Sequence, residues 1–82
     1  MADQKDDFKF EITKQVGVIG DGTHGWRKEV NFVSWNERQP KLDIRDWNET
    51  HEKMGKGVSL SGKESKALLS LLSSVDLDQL SD

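Results

Sequence analysis

Four short runs of alternating apolar and polar residues, separated by polar breaks, decide most of what this chain can become. In "FKFEITKQVGVI", residues 8–19, Phe8, Phe10, Ile12, Val16 and Val18 share one parity and Lys9, Glu11, Thr13 and Gln15 the other. A period of two marks a half-buried strand. "GDGTHG", residues 20–25, follows as a turn, because its three glycines and Asp21 tolerate positive φ. "WRKEVNFVSW" resumes the alternation, with Val30 and Phe32 inward and Arg27, Glu29, Asn31 and Trp35 outward. "NERQP" breaks it, since Pro40 has no N–H to give a ladder. "KLDIRDW" is a third strand, with Leu42 and Ile44 inward and Lys41, Asp43, Arg45 and Trp47 outward. After the polar loop "NETHEK", the stretch "MGKGVSLS" reads as a fourth strand that turns Val58 and Leu60 inward.

The last element is a helix with a marked start. Ser61-Gly62-Lys63-Glu64 has the form of a capping box, in which serine and glutamate satisfy each other's orphan N–H groups. Leu68, Leu71, Leu72 and Val75 then recur at helical spacing as one apolar stripe. Leu69 lies off the stripe, and Leu77 and Leu80 carry apolar character into the acidic tail. The expected fold is α+β: a four-stranded antiparallel meander followed by a C-terminal helix, β-β-β-β-α, within a single domain over 1–82 whose core spans about 8–75.

Such a chain is short of core. At 82 residues it buries only about 60–65% of its unfolded surface. Apolar and charged residues each make up 33%, and there is no cysteine to form a disulfide or a thiolate metal site. No apolar stretch approaches a membrane span, and "MADQKDDF" has no signal-peptide core. These features fit a cytoplasmic protein, in contact with the nucleoid if it binds DNA. Self-association is the expected source of extra burial, with Leu68, Leu71, Leu72 and Val75 at a two-fold homodimer interface.

Charge is unevenly placed. The net charge is −3, yet residues 24–63 hold eight Lys/Arg against six Asp/Glu, a balance of +2. The rest holds four against nine. The mild basic stripe therefore lies in the middle of the chain. One helix covers one side of a sheet, so the odd-numbered side is expected to stay open, carrying Arg27, Asn31, Trp35, Lys41, Arg45 and Trp47 together. Tryptophans beside arginine and lysine suit base stacking and phosphate binding. Trp35 and Trp47 could instead be half-buried aromatics beneath a loop or at the dimer seam, and Arg45 could simply pair with Asp43 or Asp46. Trp26 shares the core parity and reads as structural.

"DIRDW" at 43–47, a polar loop, "GKGVSL" at 55–60 and a capped leucine-rich helix together resemble the positive cofactor four family of transcriptional coactivators, most closely its bacterial YdbC-like branch. The resemblance covers roughly residues 8–75 and is firmest from Trp35 to Leu72. It implies a homodimer whose paired sheets form a groove for single-stranded DNA, with little sequence preference and a role in transcription or in handling unwound DNA. By position it implies that Arg45 and Trp47 contact nucleic acid, together with Lys56-Gly57, Trp35 and Arg38. The hairpin glycine usual in the family is missing, with "NERQP" in its place, and the serine- and lysine-rich arm of animal members is absent. Lys56 shares parity with Val58 and Leu60, so either it sits at a frayed strand start or a bulge at Gly57 turns it around.

Other chemistries find little support. "GVSLSGKE" approaches a phosphate-binding loop, but Glu64 stands where the magnesium-binding hydroxyl belongs. His24 and His51 fall in separate loops without metal-ligand spacing and read as solvated. No nucleophile motif occurs. The expectation is a non-enzymatic protein without cofactor or metal that binds single-stranded DNA, or RNA, through Arg27, Trp35, Arg38, Lys41, Arg45, Trp47, Lys53, Lys56 and Gly57. Transcription or DNA-repair machinery are the expected partners. The rival reading is a protein-interaction module that uses the Trp/Arg side as a hot-spot patch.

Overall fold

The computed structural model describes residues 9–22 and 24–81. Four strands, β1 (Phe10–Asp21), β2 (Arg27–Trp35), β3 (Lys41–Trp47) and β4 (Met54–Leu60), form one sheet in the order β1-β2-β3-β4. All three pairings are antiparallel, as the short connections require. The helix α1 (Gly62–Ser73) follows, and then a 3-10 turn at Leu77–Gln79. The expected capping box is present: the Ser61 hydroxyl accepts from the Glu64 N–H at 3.1 Å, and the Ser61 N–H donates to Glu64 Oε1 at 2.9 Å. Val75 lies beyond the helix end, and Phe8 lies outside the described residues.

The missing hairpin glycine finds its explanation in the turn after β2. Asn36 and Glu37 both take left-handed backbone conformations, φ 50° and 65°. The Arg38 N–H closes the turn onto the Trp35 carbonyl at 3.0 Å. Two successive left-handed residues suit the right-handed twist of the flanking strands, which is why such turns favour asparagine and glycine. Asn36 also clamps the start of β1: its side chain accepts from the Lys9 N–H at 2.9 Å, and its own N–H donates to the Lys9 carbonyl at 2.8 Å.

The sheet is buried on the side opposite to the one expected. Glu29, Asn31, Val33, Asp43 and Trp47, all odd-numbered, are buried. On the even side, Phe32 is 39% and Val58 47% exposed. The helix does not close this even side. It lies chiefly against β3 and β4 and has no buried residue, and Leu69, Leu71, Leu72 and Val75 remain exposed.

Curvature is the physical reason. Phe10 pairs with Trp35 at one end of β2, and Trp47 pairs with Arg27 at the other. On a flat strand these ends would stand roughly 26 Å apart, yet the Phe10 and Trp47 rings lie 5.2 Å from centroid to centroid. The sheet therefore curls over its odd side. Three register shifts in β1, between Ile12 and Lys14, Gln15 and Gly17, and Val18 and Gly20, supply the bends. They also break the single parity expected for this strand. Phe10, Ile12, Gln15 and Val18 pair with Trp35, Val33, Asn31 and Glu29, whereas Val16 falls within a shift and is half exposed.

Candidate nucleic-acid interface

The concave side is floored by two polar networks and the rings of Trp35 and Trp47, with the Phe10 ring set against both. In the first network, Arg45 Nε donates to Asp43 Oδ1 at 2.7 Å, and the Ser59 hydroxyl donates to Asp43 Oδ2 at 2.8 Å. The Trp35 indole N–H donates to the Ser59 hydroxyl at 3.1 Å. The Arg45 guanidinium also donates to the Gly55 carbonyl at 3.3 Å and lies 4.9 Å above the Trp35 ring, in cation–π contact. Gly57 makes this possible. It pairs with Arg45 across the ladder, and a Cβ there would run into the Arg45 Cβ and the Ile44 carbonyl. Its close approach is to a neighbouring strand.

The second network centres on Glu29. Asn31 Nδ2 donates to its Oε1 at 3.1 Å, Arg27 Nη2 to its Oε2 at 3.3 Å, and His51 Nε2 contacts both oxygens at 2.9 and 3.1 Å. Because a carboxylate only accepts, that histidine nitrogen carries the hydrogen. Burial alone would raise the Glu29 carboxyl. The hydrogen bonds from Asn31 and His51 and the charges of His51 and Arg27 outweigh it and hold the group below its ordinary value.

The expectation of uncovered tryptophans is corrected. Trp47 is fully buried, with Phe10 on one side and the His51 ring at 5.5 Å. Its indole N–H is buried with no acceptor among the described residues. Trp35 is half-buried, with Phe10 at 6.0 Å. The cover is the start of β1, not the helix. His51, expected as a solvated loop residue, is instead half-buried in the Glu29 network, because the 48–53 loop folds back over the floor.

The expected cations fall into two groups. Arg27 and Arg45 are neutralised by Glu29 and Asp43 on the floor. Arg38, Lys41, Lys53 and Lys56 are exposed, and no carboxylate lies within 4.0 Å of them among the described residues. Arg38 and Lys41 flank the β2–β3 turn, while Lys53 and Lys56 lie at the opposite end of β3. Lys56 owes its place to a bulge, in which Gly55 and Lys56 together oppose Asp46. Phe10, Glu29, Asp43, His51 and Ser59 are parts of the site that the sequence reading does not select, whereas it does place Asn31 on this side. The odd parity that Glu29, Asp43 and Ser59 share with Arg45 and Trp47 is the signal that could have marked three of them.

Residues 23–71 match the family model described as Transcriptional Coactivator p15 (PC4). An uncharacterized protein of Treponema pallidum is 45% identical over 73 residues, which cover 89% of this chain and 86% of that protein. The matched segment contains the "DIRDW" and "GKGVSL" motifs, the turn that replaces the hairpin glycine and most of the helix. The chain belongs to the Transcriptional Coactivator p15 (PC4) family.

Proposed function

We propose that this protein binds single-stranded nucleic acid, DNA foremost, as a homodimer of the coactivator type, without catalysis. The observation that carries the reading is the division of cations: an aromatic floor whose arginines are already neutralised, with Arg38 and Lys41 at one end and Lys53 and Lys56 at the other exposed and, among the described residues, without a carboxylate partner. Bases favour the floor, where no net charge attracts a phosphate, and the backbone favours the rim. A duplex hides its bases from such a floor. The strand exchanges with Phe10, whose ring stands where a base would stack, and the orphan Trp47 N–H gains an acceptor.

The homodimer is supported by exposed apolar surface on the other side. Phe32 and Val58 on the open sheet, with Leu71, Leu72 and Val75, are large apolar side chains left in water in the single chain, and clustered exposed apolar side chains mark interaction surfaces. Leu68, partly covered already, would join the seam.

The test is a titration of oligothymidylate followed by tryptophan fluorescence at several salt concentrations, beside a sedimentation measurement of mass. With three to five phosphates neutralised, log K against log salt has a slope of about −2 to −3.5. The double reversal Lys53→Glu, Lys56→Glu weakens binding without unfolding, since both side chains are exposed. No fluorescence change up to high micromolar oligonucleotide would leave the protein-interaction reading in its place.

A further inference from the structure

The third tryptophan has no part in the floor. Trp26 sits one residue beyond the Arg27–Trp47 pair, at the end of the sheet where β1 turns into β2. It is half-buried and lines an open cleft of about 410 Å³ together with His24, Asn48, Glu49, Thr50 and Lys53. A second hollow of about 330 Å³ shares Trp26 and Glu49 with it. Trp35 and Trp47 both carry Phe10, but among the described residues no ring contacts Trp26.

The opposing wall is rigidly built. Asn48 Oδ1 accepts from the Lys53 N–H at 3.0 Å, the Asn48 N–H donates to the Lys53 carbonyl at 3.1 Å, and Asn48 Nδ2 donates to the Thr50 hydroxyl at 3.3 Å. His51 anchors the same loop to the Glu29 carboxylate on the sheet. Two non-glycine residues hold left-handed backbone here, His24 at φ 58° and His51 at φ 61°, a strain that recurs at binding sites. The loop thereby brings Glu49 and Lys53 to the same cleft as the indole, and neither has an ion-pair partner within 4.0 Å among the described residues.

We propose that this cleft is a terminal nucleobase subsite, selective for bases that carry an exocyclic amine. It rests on the proposed single-strand binding and extends the track beyond the floor. The Trp26 ring stacks on the base and Lys53 holds its phosphate. Glu49 decides the base: a carboxylate only accepts, so it takes the amine hydrogens of cytosine, adenine or guanine. Thymine and uracil offer one N–H between two carbonyl oxygens, which repel a carboxylate.

The experiment compares oligothymidylate with the same oligonucleotide carrying one dC or dA at its 5′ or its 3′ end, by fluorescence and anisotropy on the full chain. The substituted oligonucleotide is expected to bind several-fold tighter, at one end only. Trp26→Ala lowers its affinity about five- to fifty-fold, and Glu49→Ala brings the ratio between the two oligonucleotides to one. Circular dichroism establishes that each variant is folded. If Trp26→Ala does not fold, the base ratio and its loss in Glu49→Ala decide alone. Retained oligothymidylate binding with no preference at either end, or a preference that survives Glu49→Ala, overturns the cleft and leaves the functional reading standing. Absence of all oligonucleotide binding overturns both.

Discussion

The Phe10 ring rests 5.2 Å from the Trp47 ring, although the backbone ladder assigns the two residues to opposite ends of the sheet. This contact makes the concave side an interior, and it makes the first residues of β1 the cover of the aromatic floor. Lys9 holds that cover down through its N–H, which donates to the Asn36 side chain, and its carbonyl, which accepts from the Asn36 N–H.

Phe10→Ala should therefore act in two directions. Stability falls by about 1–3 kcal/mol, less than for a fully buried phenylalanine, since Phe10 is only half-buried. Oligothymidylate affinity rises, because a base no longer competes with a phenyl ring. Urea unfolding and the fluorescence titration read the two effects separately. A weaker complex would mean that Phe10 is itself a stacking surface.

Arg45→Ala is expected to damage the fold before it damages binding. Asp43 has no exposed surface, and Arg45 is its charged partner at 2.7 Å. Removing one member of a buried pair costs about 3–5 kcal/mol, through the charge left behind. Gly57→Ala strikes the same place sterically, because the added methyl has only Arg45 and backbone to displace. Both variants should show a lowered urea midpoint, and loss of binding in either is to be judged only on the folded fraction.

Acid should weaken the protein partly through Glu29. Its carboxyl is held below the ordinary value of 4.5 in the folded chain. A group with a depressed folded pKa binds protons more readily when unfolded, so its contribution is full above about 4.5 and is lost as pH falls through the folded value. Urea midpoints measured from pH 7 down to pH 3 should decline for the unaltered chain. Glu29→Gln, which removes the titration, should decline less over the same window.

Leu71→Glu and Leu72→Glu test the apolar surface. Both side chains are exposed in the single chain, so a charge there costs little within one protomer. At a two-fold seam each charge is buried beside its own copy and repels it. Sedimentation should show a dimer for the unaltered protein and a lighter species for the variants. An unchanged dimer would place the seam elsewhere.

Alternation, the polar breaks and the Ser61–Glu64 box were enough to read the four strands, their meander order and the helix, because these depend on residues near one another in the chain. Parity likewise grouped Glu29, Asn31, Asp43 and Arg45 on one side with the tryptophans. It could not say whether that side is water or interior, since period two separates two faces without ranking them. The choice was made by the curl of the sheet. That curl comes from shifts in β1, from the Gly55–Lys56 bulge and from Phe10 reaching Trp47, contacts between residues far apart in sequence. With the curl in place, the half-buried Arg45 could be matched to the buried Asp43, and on the even side, apolar by pattern, Phe32 and Val58 were left exposed.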